Sequence, residues 1–144
     1  LAKARQKLDQ IQRKVGGPPP RELGGNVEIA SQAVRENLRQ LRRLLPEKEW
    51  SEGLREAESM VDGLGQLQRV AGRQRALRRA FSPQVDSYGQ GIEDAAGVAR
   101  ELAADLARLV PRGADVMSSE QRGRGRALGQ RQGSVEADPA RLAS

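Results

Sequence analysis

Two groups of side chains carry the types and spacings that chemistry needs. The first is a run of carboxylates, Glu47, Glu49, Glu52, Glu56, Glu58 and Asp62. Glu49, Glu52 and Glu56 recur at i, i+3 and i+7, which puts them on one face of a helix where a divalent cation could sit. Helical carboxylate sites of the di-iron kind add a His three residues after a Glu, and this chain has no His and no Cys. A solvated acidic face that pairs with arginine is therefore the favoured reading. The second group is cationic: Arg69, Arg73, Arg75, Arg78 and Arg79, and farther on Arg122, Arg124 and Arg126. These eight are the candidates for binding nucleic acid or another anionic surface. At about 100° per residue, Arg75, Arg78 and Arg79 fall on one flank of an apolar arc made by Leu67, Val70, Leu77 and Phe81. Arg69 and Arg73 fall beyond its other side. That placement describes a core edged by snorkelling arginines better than one basic recognition face. Arginines spaced by glycine, as in Arg122-Gly-Arg-Gly-Arg126, can enter a narrow minor groove. Ala127 stands where a proline would complete such a hook, and no aromatic lies near for base stacking.

The catalytic repertoire is otherwise thin. No thiol nucleophile, disulfide, imidazole base or Cys/His zinc site is available. Neither Gly89-Gln-Gly91 nor Gly123-Arg-Gly125 is the Gly-x-Gly-x-x-Gly of a dinucleotide fold, and no phosphate loop or nucleophile elbow occurs. The expectation is a non-enzyme without cofactor or metal. The absence of Cys fits any redox compartment. No apolar run approaches the roughly 18 residues that cross a membrane, and no signal-peptide core appears. Leu1 stands where an initiator Met would, so a piece of a longer protein is expected. Any membrane attachment would then come from segments outside this chain.

Composition and periodicity set the fold class. Of 144 residues 37% are hydrophobic and only three are aromatic, Trp50, Phe81 and Tyr88. The net charge of +6 comes in alternating blocks: residues 1–25 carry +4, 46–62 carry −4, 63–82 carry +5 and 83–110 carry −3. Such blocks suit helices that pair with oppositely charged neighbours. Leu1, Ala4, Leu8, Ile11 and Val15 form a 3–4 stripe that stops at Gly16-Gly-Pro-Pro-Pro20. A second stripe runs Val27, Ala30, Val34, Leu38, Leu41, Leu44 and Leu45 to Pro46, where one helix should end and the next begin with Glu47 and Glu49 in its first turn. The third helix should span roughly 47–80, about 50 Å at 1.5 Å per residue, with Trp50, Leu54, Ala57, Met60, Val61, Leu64, Leu67, Val70, Ala71, Leu77 and Phe81 inward. Ser82-Pro83 reads as a cap followed by a first-turn proline. The fourth stripe is Ile92, Ala95, Ala96, Ala99, Leu102, Ala103, Leu106, Leu109 and Val110, ending at Pro111. Ser118 with Gln121 offers a capping box for a weak fifth helix that its glycines disfavour by about 1 kcal/mol each. No stretch alternates as a strand does. The fold class is all-α: antiparallel helical hairpins in a bundle or short helical repeat, with coiled-coil-like packing.

An offset of 65 aligns 18–46 with 83–111 at 10 of 29 positions, among them Pro18/Pro83, Gly24/Gly89, Leu41/Leu106 and Pro46/Pro111. A Leu-x-Gln-x-Gln pattern recurs at Leu8, Leu64 and Leu128. The division that follows is a helix over 1–16 that ends a preceding unit, a Pro/Gly linker over 17–25, and hairpin units over 26–82 and 83–133. A disordered tail over 134–144 completes it. Amphipathic units of this kind bury their stripes only against one another.

The run from Leu8 through Pro18-Pro-Pro20, Ala30-Ser-Gln-Ala33 and Leu64-Gly-Gln-Leu-Gln68 resembles helical segments of large bacterial proteins of uncharacterised function. Those proteins alternate Gln/Arg-rich amphipathic helices with Pro/Gly loops, and many are anchored by N-terminal membrane helices. The resemblance implies a cell-envelope-associated location, the alternative being the cytoplasm, and no catalytic residues. The expected role is an interaction or scaffold module working through a protein partner or self-association. The alternative is electrostatic binding of nucleic acid or an anionic surface.

Overall fold

The computed structural model describes residues 2–111. Among them are four α-helices, α1 (Ala2–Val15), α2 (Gly25–Leu44), α3 (Trp50–Arg78) and α4 (Pro83–Ala107), with a 3₁₀ turn at Arg21–Leu23 and no strand. The fold is an all-α bundle. Lys14 lies 3.4 Å from Asp94 while Lys7 pairs with Asp105, so α1 and α4 run in opposite senses. Asn37 reaches Glu56, and a Cβ on Gly53 would meet Leu45, which makes α2 and α3 antiparallel. Arg75 with Asp86 at one end, and Gly53 beside Leu106 at the other, do the same for α3 and α4. Arg42 to Asp9 at 2.8 Å ties α2 to α1 and closes the ring. Helix α1 packs on both α4 and α2.

The core is the set of stripes. Ile11, Val27, Val34, Leu41, Met60, Leu64, Leu67, Ile92, Ala99, Leu102 and Leu106 lose all solvent contact. Burying each large aliphatic side chain stabilises by roughly 1.5–3 kcal/mol. The three aromatics stay out of the centre: Trp50 and Tyr88 pack at its edge and Phe81 is exposed. Alanines and glycine bring the backbones close instead. A Cβ on Gly91 of α4 would lie 3.1 Å from the Lys14 carbonyl oxygen of α1.

Helix ends follow local chemistry. Ser82 caps α4: its Oγ accepts from the Val85 amide at 3.2 Å, and Pro83 fills the first turn, as its sequence requires. The end of α2 departs from expectation. Pro46 does not start a new helix. The chain winds on past it, the Glu49 amide donates to the Leu44 carbonyl at 3.3 Å and the Lys48 amide to Leu45 at 3.0 Å, with Lys48 left-handed at φ 57°. This is a Schellman closure with a cation where glycine is usual. Proline is tolerated there because it sits in a final turn and not an interior. Accordingly α3 starts at Trp50, Glu49 is its N-cap residue, and Glu52 rather than Glu47 occupies its first turn.

Other stripe ends also move. Leu77 and Phe81, expected inside, are 70% and 57% exposed. Leu77 lies six residues past Ala71, about 120° off the buried line. Phe81 follows the left-handed Arg79 (φ 52°), after which Ala80 takes the buried place. Leu109 lies past the end of α4 and is 47% exposed. The linker contributes Leu23 to the core and buries Pro19. Gly24 at φ 85°, ψ −178° uses backbone open in practice only to glycine, and a Cβ there would come within 2.6 Å of the Arg78 guanidinium. Of the positions paired at offset 65, Val27/Ile92 and Leu41/Leu106 are buried in both members, but Leu44 is buried where Leu109 is not. Residues 18–24 are loop and 3₁₀ turn, whereas 83–89 are helix. The expected fifth helix at Ser118 and the 134–144 tail lie outside the described residues, as does most of the second half of 83–133.

Leu41→Asp and Leu106→Asp each bury an unpaired carboxylate in the core. Each is expected to lose about 4 kcal/mol or more, while Leu77→Ala stays within about 0.5 kcal/mol. Chemical denaturation followed by circular dichroism measures all three; equal losses would refute the assigned core. Hydrogen bonding from Lys7 is the main reason the Asp105 carboxyl sits below its ordinary range, with Arg108 adding to it. A lowered folded value means stability that is present above the ordinary carboxyl range and lost as the solution is acidified through it. Lys7→Met should raise the Asp105 titration seen by carboxyl-carbon NMR, and an unmoved curve would contradict that cause.

Candidate docking face at the end of α3

The five arginines of α3 and its exit turn do not share one face. Arg69 donates to Gln66 at 3.0 Å and points outward with Arg73. Arg75 turns to α4: its Nε and Nη2 meet Asp86 Oδ1 at 3.1 and 3.0 Å, and its guanidinium carbon lies 4.6 Å from the centre of the Phe81 ring. Arg78 donates to Gln74 at 3.0 Å and lies over Gly24. Arg79 occupies the left-handed position that closes α3, where the Ala80 amide donates to Arg75 at 3.0 Å. An arginine there costs more than the glycine usual at such a site. Arg122, Arg124 and Arg126 lie outside the described residues.

Two features of this end were not foreseen. Leu77 and Phe81 bracket the Arg78–Arg79 turn and both face solvent. No acid occurs in the sequence between Asp62 and Asp86, and the Arg75 guanidinium lies over the Phe81 ring. An exposed ring and an exposed Leu beside arginines are the residue types that anchor protein contacts, with arginine and aromatics enriched among the energetic centres. The signal was present in the sequence as the six-residue step from Ala71 to Leu77, which breaks the 3–4 rhythm.

The carboxylates disperse. Glu56 accepts from Asn37 Nδ2 at 2.7 Å across the α2–α3 seam, while Glu49 stands at the start of α3. Among the described residues no three metal-ligating side chains gather, and no helix is long and apolar enough to cross a membrane.

Buried polar groups were also missed. Ser31 is fully buried and donates to the Glu28 carbonyl at 3.1 Å; Arg35 joins Ser31 Oγ to Glu28 Oε2 at 3.2 and 2.8 Å. Tyr88 of α4 comes up to this cluster, yet its hydroxyl oxygen is buried with no hydrogen-bond partner among the described residues. Burial pushes the phenol up to about 12, with the Arg35 guanidinium opposing it and the Glu28 carboxylate adding to it more weakly. Comparison with known proteins gives no matching family model, curated protein or solved structure.

Tyr88→Phe removes an unsatisfied hydroxyl and is expected to be neutral or to stabilise by up to about 1 kcal/mol. Below pH 10 the phenol is neutral in both states. From 10 to about 12 only the unfolded chain releases the proton, so stability falls across that window. Alkaline denaturation should therefore be shallower in Tyr88→Phe than in the parent; identical profiles would refute the buried hydroxyl.

Proposed function

We propose that the chain is a non-catalytic association module of a longer bacterial protein, and that it docks a protein partner at the end of α3 through Leu77 and Phe81 with Arg78 and Arg79 beside them. The observation that carries this reading is the division of apolar side chains. Among the described residues the core consumes most of each stripe and leaves out only stripe ends, Leu77 and Phe81 of the third and Leu109 of the fourth. Among the described residues four large hydrophobics remain exposed, Ile29, Leu77, Phe81 and Leu109, and two of them flank a single arginine-bearing turn. A scaffold role agrees with a bundle whose helices are built from related stripes, Val27 and Ile92 being one equivalent pair, although the two units share no common start.

A second reading has its own support. The acid-free stretch around Arg69, Arg73, Arg75, Arg78 and Arg79 would attract nucleic acid or an anionic surface. Against it, Arg75 is committed to Asp86 and the others point in different directions, so no continuous basic track forms. Counterion release predicts a steep loss of affinity with salt, and absent DNA binding at about 50 mM salt would retire that reading.

The primary test places photoreactive p-benzoylphenylalanine at position 81 of the chain in its native cells. Discrete protein adducts that disappear on Leu77→Ala are expected. Irradiation that yields no adduct, or only nucleic-acid or lipid adducts, would overturn the proposal. Phe81→Ala should lower the melting temperature only slightly, since the ring is 57% exposed and loses chiefly its contact with the Arg75 guanidinium.

A further inference from the structure

Resting on the reading that this chain works by protein association, we infer that the outward face of α3 pairs with the same face of a second copy, antiparallel, about a two-fold axis at Gly65 and Gln66. Five exposed charges lie on one line of that face, Arg55, Glu58, Asp62, Arg69 and Arg73, and the last four are placed symmetrically about the midpoint. At about 100° per residue those four fall within about 60° of one another, on the side opposite the buried line of Ala57, Met60, Leu64, Leu67 and Ala71. The order along the helix is base, acid, acid, base, base. Turning a second copy end for end about the midpoint sets Glu58 opposite Arg73 and Asp62 opposite Arg69, and the symmetry repeats both pairs. A self-complementary patch is what a two-fold interface requires.

Three observations support a second copy over another occupant. None of the four charges is in an ion pair among the described residues; Arg69 is held only by the Gln66 amide oxygen. Glu58 with Asp62, and Arg69 with Arg73, are like charges at i, i+4, a spacing that destabilises an isolated helix. The helix dipole does not account for them, because its influence falls off within the first and last turns and all four lie inside those limits. A polyanion would meet Arg69 and Arg73 but also Glu58 and Asp62 on the same line, so alternating sign disfavours nucleic acid on this face. At the two-fold, Gly65 presents no side chain, and a Cβ there would meet only the Arg69 guanidinium.

The test is sedimentation equilibrium of the 144-residue chain and two double variants. The parent is expected to form a weak dimer in about 10 mM salt that dissociates at least tenfold more readily in 1 M salt, as the screening length drops from about 30 Å to about 3 Å. Glu58→Arg with Asp62→Arg makes the line all basic; Arg69→Glu with Arg73→Glu leaves Arg55 as its one base among four acids. Each variant alone should be monomeric with an unchanged circular dichroism melt, since every altered side chain is exposed. Mixed one to one, the two should associate at least as tightly as the parent. A parent that is monomeric in low salt, a dimer indifferent to salt and to both variants, or a mixture that fails to associate would each overturn the inference. So would DNA binding through Arg69 and Arg73 by a parent that stays monomeric. Because the photoadduct at position 81 reports on a different surface, its presence or absence separates failure of this pairing from failure of the association module as a whole.

Discussion

Each helix of this chain owns one narrow aliphatic stripe, and the four stripes have only one another to cover them. That requirement governs the arrangement. With three aromatics in the whole chain, no large ring fills the centre, so the core has to be closed by leucine, isoleucine and alanine meeting at short range. α4 is built for this: Ala95, Ala96 and Ala99 are buried along it, and Gly91 admits the α1 backbone. α1 is accordingly a member of the core and not an appendage. Ala4, Leu8, Ile11 and Val15 cover α4 on the side that α3 leaves open. Removing them would return a row of apolar side chains on α4 to water, at roughly 25 cal/mol for each Å² uncovered.

Satisfying the stripes internally changes what the surface has to offer. Buried polar groups settle their own accounts locally. Ser31 donates to a carbonyl one turn back, and Asn37 bridges to Glu56 and Ser59 at 2.7 and 3.4 Å. Tyr88 is the exception. Its ring is useful at the edge of a core short of aromatics, and its hydroxyl is carried into the protein with it. A phenol that stays neutral far above its ordinary value is a tolerable passenger at neutral pH, because the unionised form costs much less to bury than a charge.

How much of this could be read beforehand divides along physical lines. The stripes of α1 and α4 were legible because strict 3–4 spacing leaves little choice of face, and Ser82-Pro83 was legible because its chemistry is local. What escaped depended on partners distant in sequence or on uncommon backbone. Lys48 and Arg79 close helices in the left-handed conformation without the glycine that normally announces it. Once Arg79 turns the chain, the inward rhythm passes to Ala80, and Phe81 is left outside. Leu23 and Pro19 are buried although a Pro/Gly linker reads as exposed, because the chain must cross the bundle end to enter α2. At the candidate site the arginines were visible as a group. Their separation into an α4 partner, a Gly24 contact, the left-handed Arg79 cap and two outward side chains follows from packing that no single-helix projection contains.

The seams explain why the outward charges of α3 stand apart. Across α1–α4 the bundle matches Lys7 with Asp105 and Lys14 with Asp94; across α1–α2 it matches Asp9 with Arg42; across α3–α4 it matches Asp86 with Arg75. Opposite charges thus meet across three of the seams, while α2 and α3 are bridged by the Asn37–Glu56 hydrogen bond instead. Among the described residues the outward line of α3 has no neighbouring helix to complete it, yet it carries both signs within one helix. In an isolated chain those charges would only repel along the helix axis, a small cost with no return inside the fold. Facing a complementary line, the cost becomes the means of setting register, because a shift of one turn would leave only two of the four acid–base pairs facing one another. Electrostatics of this exposed kind contributes little affinity by itself, so such a contact would fix orientation while the apolar pair at Leu77 and Phe81 remains free for a different partner.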